Sequence, residues 1–367
     1  MKLKATFQSY LLRFRFEAGT SRGVFTEKKI YFLSVKNLAD ALVEGVGECN
    51  ILKDLSFEYV TGGFTNENDF FEYYETQLSS VCLELEQIAD AWEKLPEPNT
   101  FSEIAGQITG KHFPSLTFAL ETALLDLYHS GKKLIFDTAF SRGDKAIPIN
   151  GLVWMGKADF MRHQIDEKIK QGYSTLKMKI GAIDFEQECE LLTYIRSQFP
   201  PEKLSLRVDA NGAFKPTEAL QKLEKLAVFN LHSIEQPVAV AAKETLQMLC
   251  EQSPVPIALD ESLIGIMEKQ AKENLLQTIK PQFIILKPAL LGGFEQTREW
   301  IQIAENQGTA WWITSALESN IGLNAIAQFT ATFNNQLPQG LGTGQLYHNN
   351  INLPLHIEKG FLWYRKR

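Results

Sequence analysis

Five ionisable residues define the chemistry open to this chain: Lys179, Asp209, Glu235, Asp260 and Lys287, separated by 30, 26, 25 and 27 positions. Each stands where a short apolar run turns polar: Lys177-Met178-Lys179, Val208-Asp209-Ala210-Asn211-Gly212, Ile234-Glu235-Gln236-Pro237, Leu259-Asp260-Glu261-Ser262 and Leu286-Lys287-Pro288. One such residue is ordinarily the solvated start of a loop; repeated in register, the pattern puts one charge at the end of each strand, all on one rim. Carboxylates on adjacent strands, ~4.8 Å apart, repel unless a cation compensates them. Asp209, Glu235 and Asp260 therefore read as ligands of a hard divalent cation, Mg²⁺ with Mn²⁺ as a substitute, because a few carboxylate oxygens completed by water or substrate suit that ion. No paired histidines point to zinc.

The lysines point to proton chemistry. Lys177 and Lys179 lie at i and i+2 on a strand, so both leave the same face about 6–7 Å apart. A like charge nearby, and a metal ion, lower an ammonium pKa toward the range where a lysine acts as a base near pH 7. Lys287 would face Lys179 across the mouth. Two lysines flanking a metal-held ligand suit removal of a proton α to a carboxylate, with the dianionic enediolate stabilised by Mg²⁺ and ammonium groups.

The elements that must position these groups follow a βαβ rhythm. β-rich runs occur at 147–152, 175–180, 204–210, 231–236, 256–261, 283–288, 310–315 and, weakly, 338–343, with helical segments such as 159–171, 185–198, 217–229 and 294–307 between them. This rhythm demands a parallel sheet with right-handed crossovers. Eight units close into a barrel whose active site lies at the C-terminal ends of the strands; a doubly wound sheet is the alternative, because the eighth run is poorly marked. Before the barrel, residues 1–60 read as a meander, 68–91 and 115–130 as helices. The expected fold is α/β: a TIM-type barrel over 116–345 with an α+β capping domain over 1–115, completed by 346–367.

The chain of 367 residues carries 44% hydrophobic and 22% charged residues, which excludes disordered and collagen-like classes. Its net charge of 37 − 44 = −7 matches nucleic acid or an anionic membrane surface poorly. Cys49, Cys82, Cys189 and Cys250 form no metal or redox pattern, and no run of 18 apolar residues or signal peptide is visible. A cytoplasmic enzyme acting on a small-molecule dicarboxylate is expected; nothing in the sequence sets an oligomeric state.

These residues resemble the enolase superfamily, in its muconate lactonizing enzyme-like branch, whose known chemistry is a lysine base with a Mg²⁺-stabilised ene-diolate. The resemblance implies Lys179 as the principal acid/base, Lys177 tuning its charge, Lys287 across the ligand, and Asp209, Glu235 and Asp260 on Mg²⁺. Within that branch the chain is similar to the o-succinylbenzoate synthases of menaquinone biosynthesis. The resemblance rests on Gly19-Thr20-Ser21-Arg22-Gly23, Leu286-Lys287-Pro288 with Gly292-Gly293, Ser315-Ala316-Leu317-Glu318-Ser319 and Gly340-Leu341-Gly342-Thr343. It implies syn dehydration of 2-succinyl-6-hydroxy-2,4-cyclohexadiene-1-carboxylate to 2-succinylbenzoate. Lys287 would make a cation–π contact with the planar intermediate. Ser315, Glu318, Ser319, Gly340 and Gly342 would meet the succinyl arm, with Asn211 and Arg22 completing the substrate set and the Gly19–Gly23 loop serving as a lid. Phe214 stands where family members often carry Trp, which looks like packing. N-acylamino acid racemases and dipeptide epimerases share the rim residues, but the Asp-x-Asp typical of dipeptide epimerases has no counterpart in Leu341-Gly342-Thr343-Gly344-Gln345. A non-catalytic binding barrel is the remaining alternative.

Overall fold

Residues 3–20 alternate apolar and polar side chains, and in the computed structural model, which describes residues 1–20 and 23–365, they form strand β1 (Leu3–Thr20). β1 pairs antiparallel with β2 (Gly23–Asn37), which pairs in turn with β3 (Asp40–Cys49). The β1–β2 register breaks between Arg13 and Ala18 and resumes at Ala18↔Phe25. Tyr31, Leu33 and Val35 point inward from β2 and are fully buried. The helix expected at 68–91 spans Glu67–Ala89, opened by Asn66, whose side chain accepts from the Asp69 amide. Its Phe70, Tyr74, Leu78, Val81 and Leu85 are buried at the predicted spacing.

The helix Pro114–Tyr128 explains how the two parts of the molecule join. Every residue from Pro114 to Leu127 is buried, so it has no solvent face. β3 lies against it so closely that a Cβ on Gly45 would sit 2.0 Å from the Ala123 carbonyl and one on Gly47 1.8 Å from that of Ala119. Only glycine permits this backbone approach.

The second sheet holds seven parallel strands in ring order: β5 (Gly151–Val153), β6 (Thr175–Lys179), β7 (Ser205–Asp209), β8 (Ser233–Glu235), β9 (Ile257–Leu259), β10 (Phe283–Leu286) and β11 (Ala310–Ile313). The expected first run divides. β4 (Ile147–Pro148) pairs instead with the C-terminal hairpin of β12 (Leu355–Glu358) and β13 (Phe361–Tyr364). The expected eighth strand forms no ladder, only single parallel bridges Ile149↔Gln339 and Thr314↔Gly340. These bridges still close the ring between β11 and the start of β5. Pro338 lacks an N–H and Gly340 lacks a side chain to pack, which is why the run is poor strand material. Trp312 turns into the barrel beside Ile285 and Ala258, while Trp311 packs outside on Phe333.

The return of the C-terminal segment to the cap is confined to its first residues: Tyr347 bridges Phe14, the Arg15 amide donates to the Leu346 carbonyl, and the His348 amide to that of Arg13. The terminal hairpin lies on β4 rather than on the antiparallel sheet.

Candidate active site

β6, β7 and β8 run in register, so Lys179, Asp209 and Glu235 stand side by side at the same height. Asp260 and Lys287 are the residues immediately after β9 and β10. The backbone turns sharply here: Asn211 (φ 43°), Gln236 (φ 38°) and Leu317 (φ 65°) all adopt the left-handed conformation that non-glycine residues avoid. Such strain, of order 1–3 kcal/mol each, gathers where a chain must aim side chains into a site.

The charges are interleaved. Lys177 Nζ lies 2.8 Å from Asp209 Oδ2 and 2.5 Å from Glu235 Oε2. Lys179 Nζ donates to Asp209 Oδ2 at 3.0 Å and to Asn211 Oδ1 at 2.7 Å, and Lys287 donates to Asp260. Asp209, Glu235 and Asp260 are almost fully buried. Burial opposes ionisation of Asp209, but the Lys177 and Lys179 ammonium groups outweigh it and hold that carboxyl well below the usual range. Glu235 goes the other way. Burial and then the Asp209 charge push it well above its ordinary value, and Lys177 offsets only part of this. The expected lowering of the Lys177 pKa is not what this arrangement produces: burial works against the ammonium, but Asp209 and Glu235 raise it above the ordinary lysine value. Lys287 is raised likewise: burial works against the ammonium, but Asp260, Glu261 and Glu235 together outweigh it.

The donor set fits a hard divalent cation. Three buried carboxylates sit at three successive strand ends, and Glu235 Oε1 has no hydrogen-bond partner, Oε2 facing the Lys177 ammonium. Among the described residues these acids do not converge into a ligand cluster; lysine ammonium groups lie between them.

A cavity of about 780 Å³ opens over this rim. Lys177, Lys179, Asp209, Asn211 and Lys287 line one side, and Ser315, Gly340 and Gly342 the other. Glu318 and Ser319 are not brought to it. Both are fully buried behind the wall, Glu318 accepting from the Ala316 amide and Asn50, and Ser319 bonded to Glu48. Strand-end position alone does not reveal that a side chain turns back into the domain junction. Arg22 lies outside the described residues, as does the centre of the expected lid. Sequence reasoning passed over the cap's contribution: Arg15, Phe16 and Phe25 on the β1–β2 hairpin and Leu52 and Leu55 after β3. Arg15 did carry a signal, since it interrupts an apolar alternation in a strand.

The enolase C-terminal domain-like family matches residues 160–367. Among curated relatives, the o-succinylbenzoate synthase of Desulfotalea psychrophila is 44% identical, covering 96% of both chains. The chain belongs to the enolase superfamily, in its o-succinylbenzoate synthase family. The crystal structure of MenC from Desulfotalea psychrophila superposes with a TM-score of 0.84 at 40% identity, covering 99% of this chain and 100% of that one. The N-succinylamino acid racemase of Thermus thermophilus is 28% identical over 85% of this chain and 77% of its own. Enolase-superfamily membership makes the curled parallel sheet the catalytic scaffold, with the antiparallel domain above it.

Proposed function

We propose that this enolase-superfamily enzyme is a carbon–oxygen lyase that dehydrates 2-succinyl-6-hydroxy-2,4-cyclohexadiene-1-carboxylate to 2-succinylbenzoate in menaquinone biosynthesis. The observation that carries the reading is the 44% identity to an o-succinylbenzoate synthase across 96% of both chains.

In this reading Lys179, in its neutral form, takes the proton α to the ring carboxylate. The electrons flow into the carboxylate to give an enediolate; the same Lys179, now an ammonium, protonates the hydroxyl leaving from the same face, and water departs. Its position supports the role: it lines the cavity and donates to Asn211, so the Nζ is oriented before substrate arrives. Lys177, behind it between Asp209 and Glu235, keeps positive charge beside the base. Lys287 presents an ammonium from β10 to the opposite face of the planar intermediate. Asp209, Glu235 and Asp260 would hold Mg²⁺, which when bound supplies positive charge against the doubly charged carboxylate of the enediolate. Ser315, Gly340 and Gly342 form the wall toward the succinyl arm; a Cβ on Gly340 would lie 2.1 Å from Thr314 Oγ1, so this wall requires glycine. Cys49, Cys82, Cys189 and Cys250 are all free thiols, in keeping with a reducing cytoplasm.

A racemase acting on N-succinyl amino acids would use the same lysines as two bases, and similarity to the Thermus protein makes it the competing reaction. Loss of the cyclohexadiene absorbance, followed with Mg²⁺ present, measures the dehydration directly. A kcat/KM for N-succinyl amino acids about tenfold or more above that for the cyclohexadiene would overturn the assignment.

A further inference from the structure

The wall of the cavity formed by Ala316 and Leu317 is not held by the barrel. Leu317 is a non-glycine residue at φ 65°, a conformation that persists only when its surroundings enforce it. The enforcement comes from the capping domain and from Tyr347, whose hydroxyl donates to the Leu317 carbonyl at 2.7 Å. Lys28, on β2 and almost fully buried, donates to the carbonyls of Ala316 at 3.0 Å and Leu317 at 2.8 Å, and to Asn50 Oδ1. Asn50, just after β3, donates to the Ala316 carbonyl and to Glu318 Oε1, both at 2.9 Å, and Glu318 Oε2 accepts from the Ala316 amide at 2.6 Å. Glu48, also on β3, reaches past this loop to the start of the helix Asn320–Thr330. It accepts from the Ser319 amide at 2.8 Å, the Ser319 hydroxyl at 2.5 Å and the Gly322 amide at 2.9 Å.

We propose that Lys28, with Glu48 and Glu318, is a positioning device: a buried inter-domain strap that holds the Ala316–Leu317 wall against the remote arm of the substrate, and so governs substrate binding rather than proton transfer. Three features favour this over simple glue. The strap contacts a segment that is both strained and part of the cavity lining. One Glu318 oxygen accepts from the Ala316 amide, and the Glu48 oxygens accept from Ser319 and Gly322 just beyond the segment, which fixes geometry as well as energy. It is also remote in the chain from the acid/base lysines, on the β11 side of the mouth rather than at β6 or β10. Binding energy from a substrate's non-reacting part depends on such a wall being in place before the ligand arrives.

The inference rests on the dehydratase reading, so the wild-type assay is the control: no turnover of the cyclohexadiene by the Mg²⁺-loaded wild type refutes that reading and leaves the strap to be judged by the affinity for 2-succinylbenzoate. The variants are Lys28→Met, which removes the ammonium, and Lys28→Met/Glu318→Gln, which also removes a carboxylate that Lys28 would leave uncompensated. Lys28→Met should raise KM about tenfold or more with kcat within about threefold of wild type, and lower Tm. The double variant should recover Tm to within ~2 °C while KM stays raised. If KM returns to the wild-type value together with Tm, the strap contributes only stability and the proposal is overturned. An unchanged KM in a folded Lys28→Met protein overturns it as well. Should Lys28→Met fail to fold, the double variant alone decides by the same KM criterion, and where turnover is absent the product Kd replaces KM in each arm.

Discussion

Two buried lysine–carboxylate clusters lie on opposite sides of the same cavity, and they are built on opposite principles. In the strap, every carboxylate oxygen of Glu48 and Glu318 is hydrogen-bonded, and Lys28 meets three acceptors. On the rim, Asp209 is shared between two lysines while Glu235 has one close ammonium on Oε2 and no partner for Oε1. Burying a charge without full compensation costs stability, whereas a buried network with every partner present fixes one arrangement. The strap fixes one wall in a single arrangement; the rim keeps a carboxylate oxygen unpartnered for something that binds.

That contrast can be broken most sharply at Lys179. Lys179→Ala should reduce dehydration by about 10²–10⁴-fold, the usual contribution of a general acid/base, with a Tm close to wild type. Retention of more than about 1% of activity would remove Lys179 from that role.

Glu235→Gln tests the unmet charge. Chelator-treated Glu235→Gln should melt a few degrees above chelator-treated wild type, because it removes a buried anion whose pKa is already pushed upward. Activity should fall by roughly 10²-fold or more, and the rise in Tm expected of the wild type with Mg²⁺ (~2.7 kcal/mol for a ligand at about 100 times Kd) should be lost in the variant. A lower Tm for the variant would mean that Lys177 already compensates Glu235 fully.

The smallest effect sets other buried carboxyls against Asp209 of the rim by pH. Glu58 and Glu121 are pushed up to about 7, and Glu318 is raised likewise, in each case first by burial. A carboxyl raised on folding favours the folded state below the unfolded value near 4.5, and that contribution is lost as the pH rises through about 7. Asp209, held low, runs the other way: its contribution is present above the ordinary carboxylate range and lost as the pH falls below it. Tm should therefore decline between pH 5 and pH 8. Glu121→Gln, which keeps an acceptor for the Phe294 amide, should flatten that decline; an unaltered slope would show that Glu121 does not titrate in this window.

The rim was legible in the sequence because a βαβ repeat has a nearly constant pitch, so a charge at each strand end recurs at about the same interval wherever the units begin. The helix Glu67–Ala89 was legible because its 3.6-residue period is local. Other features were not. Ser319 and Glu318 carry the same strand-end signature as Ser315, yet they turn into the domain junction, and nothing within a few residues of them distinguishes the two directions. The ring's closure at Gln339–Gly340 comes from isolated bridges that leave no periodicity. The cap residues Arg15, Phe16 and Phe25 reach the cavity only because the β1–β2 hairpin lies over the barrel mouth.

The amino-acid sequence by itself determined the repeat, the strand-end charges and hence the class of chemistry, since all three are set by spacing along the chain. Only the tertiary structure decided which of those charges are compensated, and that Lys28 reaches a carbonyl 288 residues away to hold the opposite wall. Buried polar partners are chosen by three-dimensional proximity, and proximity across domains has no period in the sequence.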